Sequence, residues 1–332
     1  MELKHKEISG SRPGPRVLIT GGIHGDEFEP MAAIRRLARE IPAEKLRGSV
    51  TLIPVVNEPA FRLGQRTAED GRDLARTCPG RPDGSVTERI AAALSELIRE
   101  ADYYIDLHTG GTRLVVQPLV GYMLHRDPPV LAAQRRMARA FGLPIIWGTD
   151  PNLDGRSLSV ARDAGVPAIY AEYLGGGACT PEGVAAYVRG CQNVLLELNM
   201  LEGAAVVGPQ SAICVEDDRA GAGHMQVNHQ TPGEGFFEPA VKLGQQVNAG
   251  DLLGTVCDVW GESICEIRAK YSGLVVVLHT FAHVNAGDGV AVLLPQDRLS
   301  AATNMRKDYG SPDNPARPSA GTKDGIDHES LE

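Results

Sequence analysis

The sequence predicts an α/β protein with a mixed, mainly parallel sheet flanked by helices over residues 1–202, followed by a smaller all-β part over 203–300. Three observations carry this. Strand-like apolar runs alternate with helix-period segments through the first part, as in layered α/β structures. The character changes near Gly203 to short β-rich runs punctuated by Gly, Asn and Asp. A length of 332 residues suits two domains better than one.

The elements follow in order. Residues 16–20 form a short apolar run that stops at Gly21-Gly22. Residues 30–40 put Met31, Ile34, Leu37 and Ala38 at helical spacing. Residues 50–56 read as a buried strand, 87–100 as a helix, 103–107 as a strand and 129–141 as a helix. Strands are expected at 144–147 and 168–173, and a helix at 181–201. Beyond Gly203, turn clusters at 235–239, 243–251 and 269–273 point to a small barrel or sandwich. Residues 301–332 are poor in large apolar side chains and rich in Pro, Gly, Lys and Asp, which predicts a disordered tail.

Composition narrows the function classes. Hydrophobic residues are 42% and charged residues 23%, ordinary for a soluble globular protein. The net charge of -9 offers no basic face, so a general nucleic-acid binder is not expected. No run reaches the ~18 apolar residues of a membrane span, and the polar, charged start does not read as a secretory signal. The six cysteines form no CxxC pair, which predicts reduced thiols in a cytoplasmic protein.

Four motifs carry chemistry. In Gly21-Gly22-Ile23-His24-Gly25-Asp26-Glu27 a strand feeds a glycine turn, and His24 and Glu27 stand three apart, where an imidazole and a carboxylate can meet on one metal. A phosphate loop would need GxGxxG or a following Lys, and neither is present; His24 as a simple helix-start residue stays open. In Tyr103-Tyr104-Ile105-Asp106-Leu107-His108-Thr109-Gly110-Gly111 a strand ends on a histidine. Ligands of open α/β sheets bind beyond the carboxyl ends of strands. Two histidines and a glutamate there make the three-ligand set of a catalytic zinc site, with a fourth position for water. In Ala168-Ile169-Tyr170-Ala171-Glu172-Tyr173-Leu174-Gly175 an acid sits inside an apolar run, where leaving it unpaired is costly; a general base belongs in such a place. Around Asp70–Gly80, Arg62, Arg66, Arg72 and Arg76 lie close together. They suit either carboxylate and oxyanion binding or a solvated basic loop.

The four motifs in this order resemble the succinylglutamate desuccinylase/aspartoacylase family, zinc deacylases related to the zinc carboxypeptidases, and within it the N-acetyl-diaminobutyrate deacetylases of ectoine breakdown. The resemblance runs from about residue 15 to 295. It implies one zinc ion per chain held by His24, Glu27 and His108, with Glu172 as base and proton shuttle. It implies that Arg66 polarises the scissile carbonyl, Arg76 holds a substrate carboxylate and Asp73 orients a zinc-binding histidine. Asn57, Gly110 and Gly111 are expected on the substrate side with Arg76. The C-terminal part resembles a biotinyl/lipoyl-like β domain, but Lys270 lacks the setting of a carrier lysine and is expected to be an ordinary surface residue.

The chain departs from the family pattern at two places. The usual Asn before Arg76 is Ala75, and the usual Phe before Pro-Gly is Cys78. The first change opens space next to Arg76 and bears on the amine half of the substrate. The expected reaction is hydrolysis of a small-molecule N-acyl amine, in a chain expected to form a homo-oligomer. A peptidase on the same scaffold and a non-catalytic zinc-containing binding protein are the rival readings.

Overall fold

The computed structural model describes residues 2–205, 213–225 and 228–299. The first part contains β1 (Lys6–Ser9), β2 (Arg12–Thr20), α1 (Phe28–Glu40), β3 (Arg47–Ile53), α2 (Glu58–Leu63), α3 (Val86–Glu100), β4 (Tyr103–His108) and β5 (Leu114–Met123). It continues with α4 (Pro128–Phe141), β6 (Ile145–Thr149), α5 (Ser157–Ala164), β7 (Ala168–Gly175), α6 (Pro181–Glu197) and β8 (Ile213–Glu216). Then follow β9 (Gly235–Pro239), β10 (Gln246–Val247), β11 (Leu252–Cys257), β12 (Ser263–Arg268), β13 (Gly273–His279), β14 (His283–Val284) and β15 (Ala291–Pro295). The expected tail, 301–332, lies outside the described residues. Among the described residues no helix is long and apolar enough to cross a membrane.

Local sequence explains the helices. Met31, Ile34 and Leu37 recur every three residues along α1 and are buried together. At the start of α3, Ser85 Oγ accepts from the Glu88 N–H while the Glu88 carboxylate accepts from the Ser85 N–H, a cap worth about 1 kcal/mol. Helices α1, α4 and α6 cover one sheet face through Ile34, Leu37, Met137, Phe141 and Val194. Helices α3 and α5 cover the other through Ile90, Leu94, Ile98 and Val160.

The 11-stranded sheet is mixed rather than mainly parallel. Strands β3, β2, β4 and β7 lie side by side and parallel. Residues 109–113 then join β4 to β5 with no crossover helix, and so short a link reverses the chain direction. β7 fills the slot between β4 and β5, parallel to the first and antiparallel to the second. The carboxyl ends of β2, β4 and β7 therefore share one edge. The C-terminal strands divide: β9, β11, β12 and β14 form a four-stranded sheet, whereas β10, β13 and β15 extend the large one. β13 joins it by pairing with β5, which sets His279 opposite Leu114 at the rim of that shared edge.

Candidate active site

Beyond β2 the chain turns through residues 21–27 before α1 begins. Gly25 packs so closely on α2 that a Cβ would stand 2.1 Å from the Ala60 carbonyl carbon. The turn thus faces α2 with bare backbone and directs His24 and Glu27 inward. β4 runs beside β2 and ends on His108. The ligand atoms of His24, Glu27 and His108 all lie within 4.8 Å of one another. His24 Nδ1 is 2.5 Å from Glu27 Oε1, and His108 Nδ1 is 3.1 Å from Glu27 Oε2.

Each imidazole turns its other nitrogen to a carboxylate. His24 Nε2 lies 3.1 Å from Asp73 Oδ1, and His108 Nε2 lies 3.1 Å from Asp106 Oδ2. A carboxylate there fixes the proton on Nε2 and leaves the Nδ1 lone pair for a metal. Asp73 thus stands behind a histidine of the cluster, where the sequence reading puts it. Asp106 is its counterpart, a residue that the sequence reading misses. The signal was strand alternation, which sets Asp106 and His108 on one face of β4. Thr20 Oγ1 and Ser157 Oγ donate to Asp106 at 2.7 and 2.5 Å and hold it in place.

The electrostatics suit a cation. Burial and Arg66 push the His24 pKa down, yet Glu27 and Asp73 together raise it. Burial also opposes charge on His108, but Asp106 and Glu27 lift it well above the ordinary value. Glu27 is held down at about 2, against its burial, by the two histidines. The field therefore favours positive charge where the three side chains meet. Two imidazoles and a carboxylate form a donor set that a divalent transition metal accepts.

Glu172 on β7 lies opposite His108 in the strand register. Its Oε2 is buried and has no hydrogen-bond partner among the described residues. Burial pushes the carboxyl up to about 7 and Glu27 adds to that, while His108, His24 and Arg66 pull the other way. A buried carboxylate oxygen without a donor is costly, so this one is suited to a proton or donor brought by a ligand.

The arginine cluster splits. Arg62 pairs with Glu58 at the surface, and Arg72 is exposed. Arg66 and Arg76 line a cavity of about 110 Å³ together with His24, Glu27, His108 and Glu172. That is several times the space of one water and suits a small molecule. Arg66 Nη2 donates to Asp73 Oδ2 at 2.9 Å. Burial, His24, Arg66 and Arg76 act together on Asp73: burial alone would raise its pKa, and the other three hold it well below the carboxylate range.

Arg156, which the sequence reading missed, joins Arg76 in this cavity. Its Nε and Nη2 are buried without hydrogen-bond partners among the described residues. Burial and the neighbouring Arg156 bring Arg76 down to about 10. Asp73 acts on both guanidiniums in the opposite sense, and two guanidiniums at one end of the cavity suit a carboxylate. Ala75 lines the same cavity, so the missing asparagine amide leaves open space there. Tyr170, two residues before Glu172 on the same face of β7, also lines it. Gly121 on β5 makes room for that ring, since a Cβ would come within 2.2 Å of it.

The remaining expected residues separate. Gly110 lines the cavity. Gly111 serves the turn, with φ +58° and Asp26 Oδ2 where a Cβ would sit, at 2.6 Å. Asn57 needs correcting as a substrate residue. It is fully buried, its Oδ1 caps α2 by accepting from the Ala60 N–H, and its Nδ2 donates to the Ile23 carbonyl. It braces the turn that carries His24. Cys78 is buried and its thiol is pushed up to about 12 by burial and by Asp106, so it is not a nucleophile. Lys270 is exposed.

A profile of the succinylglutamate desuccinylase/aspartoacylase catalytic domain matches residues 13–198. The chain is similar to the N-alpha-acetyl-L-2,4-diaminobutyric acid deacetylase of Halomonas elongata, 34% identical over 286 residues that cover 84% of this chain and 82% of that protein. It is similar to the product-bound structure of the ectoine utilization protein EutE (DoeB) of Ruegeria pomeroyi, with 32% identity, a TM-score of 0.79 and 87% of each chain covered. It is also similar to the succinylglutamate desuccinylase/aspartoacylase structure from Rhodobacter sphaeroides, with 30% identity, a TM-score of 0.77 and coverage of 87% of this chain and 88% of that one.

Proposed function

The chain belongs to the succinylglutamate desuccinylase/aspartoacylase family, and on that premise we propose that it removes the acyl group from a small N-acyl amino acid with one zinc ion held by His24, Glu27 and His108. It is an amide-hydrolysing enzyme, as its relatives are named. The observation that carries the proposal is the unpartnered Glu172 Oε2 beside the His24–Glu27–His108 cluster.

Zinc, when bound, supplies a Lewis acid that makes water acidic near neutral pH and polarises a carbonyl. Glu172 accepts the proton of the attacking water and returns it to the departing nitrogen. Arg66, steadied by Asp73, donates to the carbonyl oxygen as negative charge grows there. Asp73 and Asp106 keep the two imidazoles oriented. Arg76 and Arg156, side by side in the cavity, take the carboxylate of the amine half. The division of the chain at residue 203 and the barrel-sandwich character of its C-terminal strands belong to the same proposal, supported by the four-stranded sheet of β9, β11, β12 and β14.

The test is release of acid and amine by the metal-quantified enzyme from a panel of N-acyl amino acids, N-acetyl-2,4-diaminobutyrate included, with dipeptides alongside. Chelator-sensitive release from the N-acyl compounds supports the deacylase; release from dipeptides alone would replace it with a peptidase. Within that assay Arg156→Gln is expected to raise KM about 10- to 100-fold with kcat changed little, since a hydrogen-bonded charge contributes about 1.5–3 kcal/mol and the loss falls on binding. An unchanged KM would remove Arg156 from the substrate site.

A further inference from the structure

The amine half of an N-acyl amino acid branches at its α-carbon into a nitrogen, a carboxylate and a side chain. In the catalytic cavity the nitrogen belongs with Glu172 and the carboxylate with Arg76 and Arg156. The rest of the lining selects the side chain.

That rest is an apolar wall. Leu114, Val116, Met123, Leu158, Tyr170 and Met225 all line the cavity. Leu114, Val116 and Met225 pack in one cluster with Tyr170. Met123 and Leu158 pack in another, again with Tyr170. Tyr170 therefore joins the two groups into one surface. The wall begins beside the base, because Tyr170 and Glu172 stand two residues apart on the same face of β7, about 7 Å along the strand. The Tyr170 ring lies over Gly121 of β5, its partner in the register. Burial and the Glu172 carboxylate push its phenol up, although Arg156 acts the other way, so the ring is uncharged.

The polar groups of the cavity are already in use. Its carboxylates are Glu27, Asp106 and Glu172. Glu27 lies between the two histidines, and Asp106 lies behind His108 and accepts from Thr20 and Ser157. Glu172 carries the proton of the reaction. Thr149 Oγ1 donates to the Tyr122 carbonyl at 3.3 Å, and Thr109 Oγ1 accepts from the Gly111 N–H at 3.1 Å. Among the described residues no further carboxylate lines the cavity, whereas the guanidiniums of Arg66, Arg76 and Arg156 all do. An ammonium on the side chain would meet that positive field and an apolar surface. A second carboxylate would lose its water against the same surface. An unpaired charge in such a place is costly.

We propose that the amine half carries a short, uncharged aliphatic side chain seated against this wall, so that the substrates are N-acyl derivatives of apolar amino acids. The inference rests on the deacylase reading and names its substrate class. The chemistry is unchanged: water adds to the carbonyl carbon, the C–N bond breaks, and the departing nitrogen takes the proton held by Glu172.

The test compares three amino acids acetylated on the α-nitrogen, using the full zinc-loaded chain at neutral pH. They are 2-aminopentanoate, 2,4-diaminobutyrate and glutamate. Their side chains share two methylenes and end in a methyl, an ammonium and a carboxylate. The expected result is a kcat/KM for the aminopentanoate at least ~10-fold above both charged compounds, the charge being left without a partner. A smaller gap, or a preference for either charged compound, overturns the apolar side chain and leaves the deacylase intact. Turnover of other N-acyl amino acids but of none of these three does the same. No turnover of any N-acyl amino acid overturns both.

Discussion

Glu172→Gln is expected to lower kcat by about 10²- to 10⁴-fold, the contribution of a positioned general acid–base, while the zinc content stays that of the wild type. The amide keeps the shape of the carboxylate but can neither take the proton from water nor hand it to the departing amine. Glu172 does not belong to the metal cluster itself, so its loss leaves that donor set complete. The same residue sets the acid limb of the pH profile. A base must be ionised to accept a proton, and burial holds this carboxyl up at about 7. Its ionised fraction therefore grows as pH rises through neutrality, and kcat/KM grows with it. An exposed glutamate would place that limb near ~4.3. Near-normal turnover in Glu172→Gln would assign the proton transfer to another group.

Much of this site is legible in the sequence because strand ends advertise it. His24 with Glu27, His108 and Glu172 each follow or close an apolar run before glycines, and the shared edge of β2, β4 and β7 turns those three sequence positions into one place. The signal fails where long-range pairing decides. β5 is broken to the eye by Pro118 and Gly121, yet it is the strand on which the C-terminal part attaches. Its glycine has a purpose that only the register with Tyr170 reveals. Arg156 sits in a loop with no motif around it, and nothing local ties that loop to Arg76 or Glu172. Asp106 was readable from alternation alone. Asn57 misled because its neighbourhood in sequence is the arginine loop, whereas in space its amide is used up by α2 and Ile23.

The largest effect of all is expected from the metal cluster. His108→Ala removes one of the three ligands and leaves Asp106 buried behind an empty position, so zinc binding is expected to fall below detection at micromolar metal and hydrolysis to vanish with it. The readout that does not depend on activity is metal-linked stability. A ligand that binds only the folded state stabilises it by RT ln(1 + [L]/Kd), about 2.7 kcal/mol at a hundredfold excess over Kd. Added zinc should therefore raise the Tm of the metal-free wild type and leave that of His108→Ala unmoved. Asp106→Asn gives the graded case. Its oxygen can still accept from Thr20 or Ser157, but the charge behind the imidazole is gone, and such outer partners are worth about 10- to 100-fold in metal affinity. It should bind zinc more weakly, recover activity as zinc is raised, and show a smaller Tm shift at limiting metal. Wild-type zinc content and turnover in His108→Ala would dismantle the ligand set, since neither Glu27 nor His24 could then be said to need a partner on β4. A wild-type affinity in Asp106→Asn alone would confine the error to the outer carboxylate and leave the three ligands in place.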